Sequence, residues 1–154
     1  MAFHTLSFVQ DIPVSIDTAW NFFSSPKNLA RITPPEMMFR ITGGTADEEI
    51  FPGMTICYTL YPFMMIPVMW ETEITEVSKP FHFEDRQKSG PYEYWLHRHL
   101  FREIEGGVEM TDHLTYSLPM DFFGELVNTL IVSRRLEEVF AYRRKKIAEI
   151  LGSS

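Results

Sequence analysis

Trp95-Leu96-His97-Arg98-His99-Leu100-Phe101 mixes side chains that build a core with side chains that do chemistry. Read with the two-residue period of a β-strand, it puts Trp95, His97, His99 and Phe101 on one face. Leu96, Arg98, Leu100 and, one step on, Arg102 take the other. The segment that follows decides which face is inward. Glu105-Gly106-Gly107-Val108 predicts a hairpin whose loop is Gly106-Gly107, because glycine supplies the positive φ that such turns need. That loop pairs Glu105 with Val108, and sets His97 opposite Tyr116, His99 opposite Leu114, Phe101 opposite Asp112 and Trp95 opposite Leu118. The returning strand, Val108 to Leu118, has a polar phase of Glu109, Thr111, His113, Thr115 and Ser117. Its other phase holds Met110, Leu114 and Leu118, with Asp112 and Tyr116 between them, and is the one expected inside. The pairing carries Trp95, His97, His99 and Phe101 to the same side. A three-residue loop would turn the first strand over.

Working outward, Phe3 to Ile12 alternates as a strand, and Pro13 ends it. Ser15 is a suitable N-cap for a helix through Ile16, Ala19, Trp20 and Phe23. Ser24-Ser25-Pro26 breaks that helix, and Pro26 can open a second short one through Leu29 to Ile32. Thr33-Pro34-Pro35 is expected to stop all helix. Strands then follow near Met38–Thr42, Met54–Leu60, Val68–Val77, Phe81–Lys88, Tyr92–Glu105 and Val108–Leu118, divided by proline- and glycine-rich breakers. Pro119-Met120-Asp121-Phe122-Phe123-Gly124 reads as a loop. The last element is a helix, with Leu136, Val139, Phe140, Ile147, Ile150 and Leu151 on one apolar face and Gly152 at its end. Arg143 falls on that face, either as a packed stem with its head in water or as a cation facing an enclosed anion. The order predicts an α+β fold: a mainly antiparallel sheet, two short helices after its first strand, and a long C-terminal helix laid on its concave face. Such a helix cannot fill the concavity, so a cavity is expected.

Composition narrows the class. A chain of 154 residues, 45% of them apolar, reads as one globular domain over 1–154. The single cysteine, Cys57, excludes an internal disulfide framework and fits a cytoplasmic location. No secretory-type start and no apolar run of membrane-spanning length is present. A net charge of −7 argues against nucleic-acid binding. From Ser133 onward six Lys/Arg oppose three Glu, a basic end that is mainly a solvated face and otherwise a weak membrane-surface or acidic-partner contact.

Phe83, Asp85 and Gln87 share a phase against the charged His82, Glu84, Arg86 and Lys88. The expected cavity wall is therefore Asp85, Gln87, His97, His99, Asp112 and Tyr116, with Trp70, Phe83, Trp95, Phe101 and Met110 around them and Arg143 facing from the helix. Buried carboxylates need partners, so this set forms at least a satisfied polar network. Beyond that, it can orient a small apolar ligand, with Met37, Met38, Met54, Met64, Met65, Met69 and Met110 as a pliable wall. Alternatively His97, Asp112 and Tyr116 can do acid–base chemistry. His97 and His99 with a carboxylate can also take a zinc or non-haem metal. The reading favoured is ligand binding with no metal and no cofactor, ahead of an enzyme or a ligand-free regulatory module.

A series of motifs stands in order along the chain: Ile32-Thr33-Pro34-Pro35, Pro52-Gly53 followed by Ile56 and Tyr58, Trp70-Glu71-Thr72, Phe83-Glu84-Asp85-Arg86-Gln87 and Gly90-Pro91-Tyr92. Trp95-x-His97-x-His99-x-Phe101, Asp112 to Tyr116 with Pro119, and Phe140-x-x-Arg143 complete them. In these the chain resembles the SRPBCC superfamily of START-like or birch-pollen-allergen-like helix-grip domains, and within it the bacterial polyketide cyclase/dehydrase-like or cell-division-inhibitor-like branch. The resemblance implies a curved seven-stranded antiparallel sheet gripping the C-terminal helix around a deep hydrophobic cavity. Members bind lipids, sterols or polyketides, and some catalyse cyclisation or dehydration.

Overall fold

Alternation of apolar and polar residues gives seven strands, and each finds an antiparallel partner in one sheet of order β1-β7-β6-β5-β4-β3-β2. The computed structural model describes residues 2–44, 48–63, 66–119 and 131–153. The strands are β1 (His4–Ile12), β2 (Arg40–Gly44), β3 (Thr55–Phe63), β4 (Ile66–Ser78), β5 (His82–Ser89), β6 (Tyr94–Ile104) and β7 (Gly107–Ser117). Between β1 and β2 lie α1 (Ile16–Phe23) and α2 (Pro26–Leu29), and the chain ends in α3 (Ser133–Leu151). The expected loop at Met120-Asp121-Phe122-Phe123-Gly124, and Met64 and Met65, lie outside the described residues.

The helices start and stop where their local chemistry requires. Ser15 Oγ accepts from the Thr18 amide at 3.1 Å, capping α1. Pro26 opens α2, and a 3₁₀ turn, Ala30–Ile32, extends it. The expectation that helix ends at Thr33-Pro34-Pro35 is corrected: Pro35–Met37 makes one more 3₁₀ turn, closed by Met38 at φ 48°. Proline at the first position of a turn lacks only an N–H that has no partner there, so it starts such a turn readily.

The β6–β7 hairpin also differs from expectation. Ile104 pairs with Gly107, so the loop is Glu105-Gly106, not Gly106-Gly107. His97 therefore faces Leu114, His99 faces Asp112, Phe101 faces Met110 and Trp95 faces Tyr116. Only Gly106, at φ 82°, supplies a left-handed residue. Gly107 has a different duty, since a Cβ there would run into the carbonyl oxygen of Ile12 on the neighbouring strand. Each partner has moved by two residues, a full period of the pleat, so every inward assignment survives.

Two bulges in the β4–β5 pairing, one with Lys88 as the extra residue on β5 and one with Thr75 as the extra residue on β4, bend the sheet there. Helix α1 packs into one half of the concavity. Trp20 meets Phe83 and Phe101 edge-on at 5.5 and 6.0 Å, and Phe23 lies 5.6 Å from Phe101. Helix α3 is tied instead to the β1 edge. Phe140 stacks on Phe8 at 4.4 Å. Arg144 donates to the Val9 carbonyl at 2.7 Å, and Gln10 donates to the Arg144 carbonyl at 3.0 Å. With α3 held to that side, the surface of β3, β4 and β5 beneath it is left uncovered.

Candidate functional site

That uncovered surface is the floor of a cavity of about 180 Å³. Its walls are the inward phases of β3 (Ile56, Tyr58, Leu60), β4 (Trp70, Thr72, Ile74), β5 (Phe83, Asp85) and β6 (Trp95, His97, His99), roofed by Leu136, Val139, Phe140 and Arg143 of α3. Half-exposed Ser24, Ser25, Pro26, Pro62 and Arg135 mark where it reaches the surface. Trp70 stacks on Tyr58 at 5.9 Å and meets Trp95 edge-on at 5.0 Å, which makes one wall aromatic.

The polar wall is a crossed arrangement of two histidines and two aspartates. His97 Nε2 lies 2.8 Å from Asp112 Oδ1, and His99 Nε2 lies 2.6 Å from Asp85 Oδ2. Each ring turns its other nitrogen toward the opposite carboxylate: His97 Nδ1 is 4.0 Å from Asp85 Oδ2, and His99 Nδ1 is 3.6 Å from Asp112 Oδ1. The two imidazoles stack at 3.8 Å, and Phe83 stacks on the far side of His99 at 4.1 Å. Alternation along β6 causes this, since residues two apart on a strand stand side by side on one face.

Electrostatics sets the proton positions. Burial raises the Asp112 carboxyl, but the hydrogen bond and charge of His97, with Arg143 and His99, outweigh it and hold the group at about 2. Asp85 is likewise raised by burial and lowered more by His99, His97 and Arg143. Both carboxylates are ionised near neutrality and can only accept, so Nε2 of each histidine donates. Burial, then the neighbouring His97, pushes His99 below its usual value against the pull of the two aspartates. Tyr58 and Tyr92 are pushed well above the usual phenol range, chiefly by burial, and stay protonated. Cys57 lies outside this group. Burial and a bond from its thiol to Glu71 at 3.6 Å raise it, which disfavours a reactive thiolate.

Of the residues expected on the wall, Trp70, Phe83, Asp85, Trp95, His97, His99 and Arg143 line the cavity. Asp112 stands one layer behind, 3% exposed, and meets the cavity through His97, His99 and Arg143. Phe101 and Met110 pack in the solid core beside α1, and Tyr116 is buried with Leu114, Phe140, Tyr92 and Trp95. Gln87 turns away from the space. Its amide donates to the Tyr92 carbonyl at 2.7 Å and accepts from the Tyr92 amide at 3.0 Å, bracing the β5–β6 turn. The methionine wall is corrected too: Met37 lines the cavity, Met54 and Met110 are core, and Met38 and Met69 are exposed.

Sequence reasoning missed Tyr58, Thr72, Val139 and Phe140 as wall residues. Tyr58 pairs with Trp70 across β3 and β4, a signal that extending the inward phase by one strand would have caught. Thr33, Met37, Phe39 and Tyr92 sit on irregular segments that carry no periodicity.

Among the described residues, two sets of side chains could hold a metal. Asp85, His97 and His99 bring ligand atoms within 4.8 Å of one another on the cavity wall, although Asp85 and His99 already bond each other. Glu76, His82 and Glu84 form the second set on the outer face, where Arg98 holds Glu84 at 2.8 Å.

No protein-family model matches the chain, and no curated protein matches it. Solved structures do. Protein Ms6760 from Mycobacterium smegmatis is 18% identical with a TM-score of 0.70, over 96% of this chain and 90% of that one. Ginseng major latex-like protein 151 from Panax ginseng is 11% identical with a TM-score of 0.70, over 97% of each chain. The nucleoside-diphosphate sugar epimerase from Corynebacterium glutamicum is 20% identical with a TM-score of 0.69, over 94% of this chain but 28% of that one. With the curved seven-stranded sheet, the short helices after β1 and the C-terminal helix across the concave face, these likenesses establish the architecture: the chain has the helix-grip fold expected of START-like and birch-pollen-allergen-like domains.

Proposed function

We propose that the chain binds a small, mainly apolar molecule of lipid, sterol or polyketide character in this cavity. The observation that carries the reading is the space itself, about 180 Å³ between an aromatic sheet face and α3. Apolar space left unfilled beside a packed core forfeits the stabilisation that filling it would bring. A binding site is a reason to keep it. The volume is below the roughly 300–1,000 Å³ of sites for drug-sized ligands, which favours a slim chain or a small ring system over a sterol. The polar cluster on one wall would orient the ligand. The free thiol of Cys57 is in keeping with action in the cytoplasm.

Native mass spectrometry of protein purified from cells, set beside a denatured sample, tests this. A bound apolar mass that leaves on denaturation is expected. Protein that is empty and also rejects fatty-acid and sterol-like probes would remove the reading.

One observation favours a second reading, acid–base catalysis of the cyclase or dehydratase kind. His97, His99 and Asp85 share the cavity wall, and Asp112 fixes the tautomer of His97. Tyr116 has no part in it, since it does not line the cavity. His97→Ala and Asp112→Asn should abolish turnover if this holds, and only weaken or reshape binding if it does not.

A further inference from the structure

Balancing donors against acceptors on the cavity wall says what a ligand must bring. Buried polar atoms in native proteins nearly all have partners. The two carboxylates are engaged: Asp85 and Asp112 each receive a histidine N–H, at 2.6 and 2.8 Å. Two donors on the cavity wall are not. Trp70 is 6% exposed, yet its indole Nε1 has no partner among the described residues. Arg143 Nε is also buried without a partner. The Arg143 guanidinium lies 4.6 Å over the Phe140 ring, and its Nη1 stands 4.0 Å from Asp112 Oδ1, beyond hydrogen-bond reach. Both side chains line the cavity. A guanidinium offers donors only and no acceptor, and an anion is its strongest partner.

We infer that the ligand carries an anionic acceptor group, a carboxylate in the simplest case, received by Arg143 and the indole N–H of Trp70. This rests on the cavity being a binding site and adds the chemical class of its occupant. The apolar remainder of the molecule lies along Tyr58, Leu60 and Val139.

Three probes of equal chain length separate the possibilities: decanoic acid, decan-1-ol and decylamine, titrated calorimetrically into the wild-type chain, Arg143→Met and Trp70→Phe. The wild type should bind the acid tightest, by about tenfold or more over the alcohol, as expected for charge-assisted hydrogen bonds. Arg143→Met should erase the difference between acid and alcohol. Trp70→Phe, which keeps the ring and removes the N–H, should weaken the acid several-fold and the alcohol less. Wild-type comparisons stand alone if a variant fails to fold. Equal binding of acid and alcohol, a preference for the amine, or an acid preference that survives in Arg143→Met overturns the anion assignment and leaves the binding site intact, with water as the partner of those donors. Failure of all three probes, with a cavity empty in protein from cells, overturns the binding site as well.

Discussion

The inward face of β6 is one strand with two environments. Around Phe101 the concavity is solid: Trp20, Phe23 and Phe83 close on the ring, and Val108 and Met110 complete the same core. Two residues back along the face, His99 and then His97 and Trp95 look into open space. The sheet is the same; the covering helix differs. Helix α1 drops Trp20 directly onto the strand, and the C-terminal end of α3 adds Ile147 to the same core; the rest of α3, fastened to β1 through Phe140, Arg144 and Gln10, spans the other half without filling it. The lesson is that the covering helix, and not the strand itself, decides whether a stretch of the inward face becomes core or cavity wall.

This contrast can be broken in several ways. The largest effect should come from the solid half. Phe101→Ala should cost about 3–5 kcal/mol in urea unfolding, because the ring fills the space between Trp20, Phe23 and Phe83. The same kind of truncation on the cavity roof, Val139→Ala, should cost about 1 kcal/mol or less, since it only enlarges an existing space. Comparable losses at both positions would erase the distinction.

Next comes the crossed network. Asp112→Asn removes the charge that faces His97 and Arg143 and should cost about 3 kcal/mol, the lower end for breaking a buried ion pair.

Acid should act on the same groups in two stages. Asp112 is held at about 2, below its ordinary 3.8. Its contribution, about 2 kcal/mol, is therefore present above pH ~4 and lost as pH falls toward 2. Asp85 is lowered too and acts in the same direction. His99 is depressed, so the unfolded chain binds its proton first and stability begins to fall as pH drops below about 6.5. Thermal melts from pH 8 to 3 should show that early decline, and His99→Gln should remove it. A melt that is flat between pH 8 and 5 would contradict the assignment.

The smallest effect is at the hairpin. Gly106→Ala should cost about 1 kcal/mol for its left-handed backbone, with no clash.

Much of this was legible from alternation alone. The inward phases of β5, β6 and β7 follow from the two-residue period, and a pairing error of two residues leaves faces unchanged, which is why His97 and His99 were correctly turned inward from a misplaced loop. What alternation could not supply was depth. Asp112 and Tyr116 share the inward phase with His97 but sit on β7, beside β1 and beneath α3, beyond the cavity. Gln87 shares a phase with Asp85, yet its position near the end of β5 gives it a turn to brace rather than a space to line. Distinguishing wall from filling requires knowing where α3 lies, and that depends on Phe8–Phe140 and Arg144–Val9 contacts over 130 residues apart in sequence, for Arg144 and Val9 a separation of 135.

The chain holds three tryptophans, and they divide between the two halves: Trp20 in the solid core, Trp70 and Trp95 on the cavity wall. Titration with a bromine-labelled decanoic acid, a contact quencher of indole emission, therefore reports where a ligand sits. In Trp20→Phe, emission from Trp70 and Trp95 should fall saturably. In the double variant Trp70→Phe/Trp95→Phe, Trp20 should be quenched much less at the same occupancy. Equal quenching of Trp20, or no saturable quenching of Trp70 and Trp95, would contradict a binding cavity beneath α3.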